Sequence, residues 1–214
     1  MVNSILRKLL LWGFDQLYTR FAWAYDSVAA LASLGEWQQW VRAVISFVQG
    51  ERVLEIAHGS GHLYRALRDA GHCAIAIDRS AAMARLLRHR SNGTALQAQA
   101  DARHLPFADA TFDSIVTTFP TPFVRDPRAI REARRVLRPG GRWVIMPAVV
   151  WRGGHPLVPV LRWAHRFTSG GHEPLSAVRQ VAECGFDCTS WLYPVGRADA
   201  IIWTCVKLPE APGA

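Results

Sequence analysis

Val53-Leu54-Glu55-Ile56-Ala57-His58-Gly59-Ser60-Gly61 is the stretch on which the reading of the fold turns. A short apolar run enters a loop with two glycines, and a helical pattern follows from His62 to about Ala70. Glycine lets a backbone approach a ligand closely and adopts dihedrals closed to other residues. The glycine pattern of dinucleotide sites is incomplete here, because Tyr64 stands where a third glycine is needed. Glu55 at the strand end repels a pyrophosphate but suits a ligand that carries positive charge. The alternative for this glycine pair is a purely structural turn.

The pattern repeats outward from this loop. Cys73–Ile77 reads as the next strand and ends at Asp78, and Ser80 caps a helix running to about His89. Residues 95–100 form a third strand, and Phe112–Thr118 a fourth with the buried-strand run Ser114-Ile115-Val116. A helix over Pro127–Leu137, closed by Pro139-Gly140-Gly141, leads into a fifth strand at Arg142–Met146. Pro174–Cys184 reads as a helix stopped by Gly185, and Asp187–Tyr193 and Ala200–Lys207 as two consecutive strands. The alternation predicts an α/β, Rossmann-like, doubly wound fold. Its seven-stranded sheet is mostly parallel and finishes in a C-terminal antiparallel hairpin. Residues 1–49 read as a helical entry segment, with an amphipathic helix at 4–26 and a second at 36–49. Residues 50–207 form the ligand-binding domain, residues 147–172 a small cap insertion within it, and residues 208–214 a tail.

The 214 residues suit one domain, and a 50% hydrophobic, 20% charged composition excludes a disordered chain. The net charge of +8 is carried by arginine, since Lys8 and Lys207 are the only lysines. It points to a soluble surface or to attraction toward an anionic partner such as a membrane surface. Cys73, Cys184, Cys188 and Cys205 show neither zinc spacing nor a disulfide framework, which suggests a reducing cytoplasm. The apolar start is too short to span a bilayer and lacks a small-residue cleavage site, so no signal peptide is expected. His58 and His62 flank the loop without a third ligand, so no metal is expected. The arginines at 125, 128, 131, 134, 135, 138 and 142 read as a solvated helix face or a phosphate-binding surface.

Two downstream acids extend the loop into a site. Asp78 lies about 20 residues past the glycines, where a strand-end carboxylate holds both ribose hydroxyls in doubly wound folds. Asp101 offers an acceptor to an adenine amine, and the Ala102 N–H a donor to the ring. Each acid alone also reads as a cap or loop residue; their order after three successive strands carries the argument.

With these pieces the chain resembles the class I S-adenosylmethionine-dependent methyltransferases, specifically the methyltransferase-11-like branch. The matching motifs are Val53–Gly61, Ala76-Ile77-Asp78, Ala100-Asp101-Ala102 with Leu105-Pro106-Phe107, Thr111–Val116 and Arg134–Gly141, about half the chain. Ala57, followed by His58, departs from the pattern at the family's first glycine. The resemblance implies S-adenosyl-L-methionine as cofactor, held by Glu55, Ala57, His58, Gly59, Gly61, Asp78, Arg79, Asp101, Ala102 and Thr118. Tyr25-Asp26-Ser27-Val28-Ala29, with Ser33-Leu34-Gly35 and Trp40, is similar to the entry segment of quinone-biosynthesis C-methyltransferases. In those relatives the entry helices close over the cofactor, which implies a contact from Tyr25.

The acceptor is expected beyond the fourth and fifth strands, against Phe119 and Thr121 and the cap residue Trp151. Tyr25, His155 and His165 are the catalytic candidates, the two histidines as bases. The expected activity is in-line methyl transfer to a small or lipid-like acceptor, such as a quinone precursor or a phospholipid headgroup. Alternatives are a non-catalytic cofactor-binding module, a nicotinamide oxidoreductase or a nucleic-acid methyltransferase. Nucleic acid is not the expected partner, for no aromatic residues interleave the arginines.

Overall fold

The computed structural model describes residues 25–152 and 174–209, and the statements below concern these residues. The chain enters through α1 (Tyr25–Ala32) and α2 (Trp37–Arg42), and a 3₁₀ turn, Ala43–Phe47, follows α2 directly. The helix expected over 36–49 is therefore interrupted after Arg42. The β-branched Val44 and Ile45 fall in the tighter turn, and Val48 is already extended with ψ 142°. The expected helix at 4–26 lies outside the described residues up to Tyr25, which opens α1.

Then come β1 (Arg52–Ile56), α3 (His62–Asp69), β2 (Cys73–Asp78), α4 (Ala81–Arg90), β3 (Gln97–Gln99), β4 (Phe112–Thr118), α5 (Pro127–Val136) and β5 (Leu137–Trp151). The chain finishes with α6 (Pro174–Glu183), β6 (Phe186–Val195) and β7 (Ala198–Lys207). The seven strands are ordered β3-β2-β1-β4-β5-β7-β6. β7 alone runs against its neighbours, pairing antiparallel with both β5 and β6. The expected architecture stands.

Helices cover both faces because successive strand residues point to opposite sides. Leu54 and Ile115 join α5 and α6 in one core, through Ala129, Ile130, Ala133 and Val181. Val53 and Val116 join Trp40, Val44, Leu63, Leu67 and Leu87 in the other. Asp113 fixes the base of the sheet. Its Oδ2 accepts from the N–H groups of Glu51 (3.0 Å) and Arg52 (2.8 Å), and its Oδ1 from Arg138 (2.6 Å). Gly50, at φ +72°, lies so close to Asp113 that a Cβ there would fall 2.3 Å from the Asp113 Cβ.

Three expectations need correction. β5 neither starts at Arg142 nor ends at Met146. Pro139-Gly140-Gly141 is absorbed into it with a register shift against β4, and the ladder with β7 carries it on to Trp151. The first residues assigned to the cap, 147–151, are therefore strand, while residues 153–173 lie outside the described residues. Cys188 and Cys205 face each other across the β6–β7 ladder, with Cα atoms 4.0 Å apart, and are joined by a disulfide. A separation of 17 residues gives no spacing signal; only the hairpin register brings the pair together. The cysteines thus no longer argue for a reducing compartment. In the basic stretch, Arg128 pairs with Asp126, Arg135 with Glu132 and Asp109, and Arg138 with Asp113, three of its seven arginines.

Candidate active site

β1 and β4 are neighbours, and their connections leave on opposite sides of the sheet. A crevice opens there at the carboxyl ends of the strands, where ligands bind in such folds. It forms a cleft of about 810 Å³, within the size range of small-molecule sites.

The loop after β1 makes one wall. The Ala57 and His58 N–H groups both donate to the Ile77 carbonyl, at 2.8 and 3.2 Å, which folds the loop over the end of β2. That path requires φ +62° at Ala57, in the left-handed region that disfavours a residue with a Cβ. Gly59 and Gly61 are also left-handed, at +53° and +82°. At Gly59 a Cβ would meet nothing within 4 Å, so its backbone faces open space. At Gly61 a Cβ would lie 2.5 Å from Leu87 Cδ1, so that glycine serves the contact between loop and α4.

Asp78 binds the loop to the strand beside it. Its Oδ2 accepts from the Gly59 N–H at 3.0 Å, and its Oδ1 from the Ser80 N–H at 2.8 Å. The carboxylate is thus oriented before any ligand arrives, and each oxygen keeps further acceptor capacity. Glu55, 2% exposed, has an Oε2 without a hydrogen-bond partner among the described residues. Burial, reinforced by the nearby Asp78 charge, pushes its carboxyl well above the ordinary value. A cation entering the cleft would relieve both conditions. The cofactor's ammonium and sulfonium fit this observation, as its ribose fits Asp78.

His58 is also buried. Its Nδ1 lies 2.9 Å from the Gly59 carbonyl, so this nitrogen carries the proton. Its Nε2 has no partner among the described residues. Burial pushes the imidazole pKa down, against the opposing charge of Asp78, and keeps the ring neutral.

On the far side Asp101 is held by Arg103. The Arg103 N–H and Nε reach Oδ1 at 2.9 Å, and its terminal nitrogen reaches Oδ2 at 2.7 Å. This pairing is the main reason the Asp101 carboxyl is pushed down to about 2. Arg103 was not among the expected site residues. A base two positions after an acid was the available signal, and Arg103 also faces Asp126 at 3.8 Å.

The rim beyond β4 is apolar. Phe119 takes φ +48°, its N–H donating to the Met146 carbonyl at 2.7 Å. Its ring stacks on Trp37 of α2, centroids 4.4 Å apart and planes 23° from parallel. Val41, Thr121, Pro122 and Phe123 continue the same wall. Trp37 falls within the helix expected over 36–49, and helical periodicity does not distinguish core from cleft.

Eleven expected residues meet in this one cleft: Glu55, Ala57, His58, Gly59, Asp78, Arg79, Asp101, Ala102, Thr118, Phe119 and Thr121. Gly61 stands just behind it. Trp151, expected in the acceptor site, is instead a core residue on β5, 8% exposed and edge-on to Trp40 at 5.1 Å. His155 and His165 lie outside the described residues, as does the side chain of Tyr25.

Residues 54–145 match a family model described as a methyltransferase domain. A demethylmenaquinone methyltransferase of Paenarthrobacter aurescens is 35% identical over 161 residues, 72% of this chain and 60% of that protein. A ubiquinone/menaquinone biosynthesis C-methyltransferase of Dinoroseobacter shibae is 35% identical over 141 residues, 61% of this chain and 56% of that protein. The chain thus spans less than two thirds of the length of these relatives. Among solved structures, a methyltransferase of Thermotoga maritima, described as a possible histamine N-methyltransferase, has a TM-score of 0.65 at 18% identity. That match covers 91% of this chain and 99% of the other. Phosphoethanolamine N-methyltransferase 2 of Haemonchus contortus, bound to S-adenosylhomocysteine, scores 0.61 at 15% identity over 82% and 53% of the two chains. At such identities the likeness speaks for the fold.

Proposed function

We propose, from the match of residues 54–145 to a methyltransferase-domain model, that the chain transfers a methyl group from S-adenosyl-L-methionine to a neutral, ring-bearing acceptor of the quinone-precursor kind. The observation that carries the cofactor reading is the partnerless, buried Glu55 carboxyl beside the preset Asp78. The acceptor reading rests on the rim. Trp37, Val41, Thr118, Phe119, Thr121, Pro122 and Phe123 include no ionisable side chain. An amine acceptor calls for a free carboxylate, and Asp126, next along the lining, is already paired with Arg128 at 3.0 Å. The quinone-modifying relatives point the same way.

When bound, the cofactor supplies a methyl group already activated on sulfur. The chain's part is to bind and align. Glu55 receives the ammonium, Asp78 the ribose hydroxyls, and the bare Gly59 backbone permits close approach. Asp101 and the Ala102 N–H take the adenine edge, with Arg79 and Thr118 lining the same cleft. The Trp37–Phe119 wall orients the acceptor and excludes water. Such alignment is worth about 7–11 kcal/mol of barrier. A ring-carbon acceptor must also shed a proton, and Tyr25, His155 and His165 are the candidates the sequence offers for taking it.

The test has two stages. Titration calorimetry should show S-adenosylmethionine binding that Asp78→Ala weakens; absence of binding refutes the whole proposal. Labelled methyl transfer should then be found with a demethylmenaquinone-type quinol, and not with phosphoethanolamine or transfer RNA. Transfer to either of the latter alone refutes the acceptor class. Vesicles carrying the quinol test the lipid-like presentation, flotation with anionic vesicles being the expected result. A non-catalytic module is the second reading, motivated by the strained Ala57 and the buried His58; binding without transfer to any acceptor supports it.

A further inference from the structure

Entry helix α1 rests on the glycine loop through one carboxylate. The Asp26 Oδ2 lies 3.1 Å from His62 Nε2 and also binds the Arg90 guanidinium. The other carboxylate oxygen, Oδ1, is buried with no hydrogen-bond partner among the described residues. His62 follows Gly61, so Asp26 sits on the loop itself. Arg90, the last residue of α4, reaches the loop as well, its Nη1 donating to the Ser60 carbonyl at 2.8 Å. One guanidinium thus grips both the cofactor loop and the entry helix, a span that its planar fork allows. Burial works to raise the Asp26 carboxyl. The bonds from His62 and Arg90 outweigh burial and keep it ionised well below the usual range.

Among the described residues, little else holds α1 down. Among its described side chains only Ala29 is buried, while Val28 and Leu31 are 44% and 77% exposed. A bend follows at Leu34 and Gly35, with φ of +53° and +85°. Beyond the bend the chain is fixed. The buried Glu36 accepts from the Arg197 N–H at 2.9 Å, Arg197 Nε at 2.7 Å and Trp40 Nε1 at 3.3 Å. An anchored α2, a bend and a helix held at its far end make a flap with a fastening.

We propose that Asp26, Arg90 and the Ser60–His62 turn form a latch that makes the cofactor loop and α1 close as one unit, with Arg90 as a positioning residue for the methyl donor. Fixing the loop then fixes the flap, and by linkage fixing the flap strengthens cofactor binding to the same degree. This rests on the proposal that the cofactor binds at this loop.

Hydrogen exchange on the full chain, with and without S-adenosylhomocysteine, tests it. In the wild type the ligand should slow amides 57–62 and 26–35 together. In Asp26→Asn and Arg90→Met, ligand-free exchange at 26–35 should rise about tenfold, as expected for a lost charged hydrogen bond. Ligand should still protect 57–62 in these variants but no longer 26–35, and dissociate several-fold faster. Arg90→Lys keeps the charge but not the fork and should fall between. Unchanged amides in β1 and β4 distinguish an open latch from a misfolded variant, and Asp26→Asn leaves the Arg90–Ser60 contact in place should Arg90→Met fail to fold. Wild-type exchange at 26–35 in both variants, or joint ligand protection in either, overturns the latch. If the ligand fails to protect 57–62 in the wild type, the cofactor proposal fails; the ligand-free rates still decide whether the fastening exists.

Discussion

Ala57→Gly should stabilise the protein, against the usual cost of placing glycine in an ordered segment. Ala57 is held at φ +62° by the two N–H bonds from its own residue and His58 to the Ile77 carbonyl. A left-handed backbone costs a residue with a Cβ about 1–2 kcal/mol. Glycine avoids this but loses about 0.5–1 kcal/mol more chain entropy on folding. The Ala57 methyl packs on the core only in part, so its removal costs a few tenths of a kcal/mol. The net gain is about 0.5 kcal/mol, or roughly 1–2 °C in melting temperature for a chain of this size. Urea denaturation and calorimetry of the ligand-free protein would measure it, with Gly59→Ala as the reverse control. That control adds strain at φ +53° and places a methyl where the backbone faces the open cleft. It should therefore lower both stability and cofactor affinity. A loss of more than about 1 kcal/mol in Ala57→Gly would show that the loop does not hold this dihedral and would refute the reasoning.

Gly61→Ala should cost about 2–4 kcal/mol, combining backbone strain with a forced shift of Leu87, and a lowered urea midpoint would register it. Glu55→Gln should raise the ligand-free melting temperature at pH 8 and leave it unchanged at pH 4. The folded Glu55 pKa is raised, so its contribution is complete below the unfolded value near 4.3 and is lost as pH rises through the folded value. The same variant should bind S-adenosylmethionine at least about tenfold more weakly, by calorimetry. Asp113→Asn should cost about 1–2 kcal/mol at pH 7 and progressively less as pH falls below about 3.9. Burial raises the Asp113 carboxyl, but bonds from Arg52, Arg138 and Glu51 bring it below its ordinary value. Its contribution is therefore present above the unfolded pKa near 3.9 and lost as pH falls through the folded one, which acid denaturation curves would show. Trp37→Ala should raise the acceptor KM while leaving cofactor affinity within about twofold, since Trp37 packs on Phe119 at the acceptor side.

The features legible in the sequence were those written in consecutive residues. Of the first five strands all but β3, which is Gln97-Ala98-Gln99, announced themselves as apolar runs, and the glycine pair, Asp78 and Asp101 followed at strand ends, where a doubly wound sheet places its ligand. What escaped depends on register between distant segments. The Cys188–Cys205 bond exists because β6 and β7 pair in one alignment. Trp151 belongs to the core because β7 extends β5 by five residues beyond Met146. The fastening of Asp26 to Arg90 joins residues 64 apart that no local pattern connects. Ala57 is the instructive middle case. Its departure from the glycine pattern was visible, but only the backbone shows that the position demands a positive φ and that the substitution carries strain.

The reversed strand β7 also shapes how the protein is made. It lies between β5 and β6 in space but follows both in sequence, so this sheet is closed from the middle by the last of its seven strands to be synthesised. Arg142 must wait for Val206 before its antiparallel partner exists. Until then β5 exposes an apolar strand edge around Val144 and Ile145, the kind of surface that seeds mispairing during synthesis. The rate at which β6 and β7 form their own hairpin should therefore govern the yield of folded protein. Changes in the Gly196–Arg197 turn should reduce that yield more than they reduce the stability of molecules that have already folded.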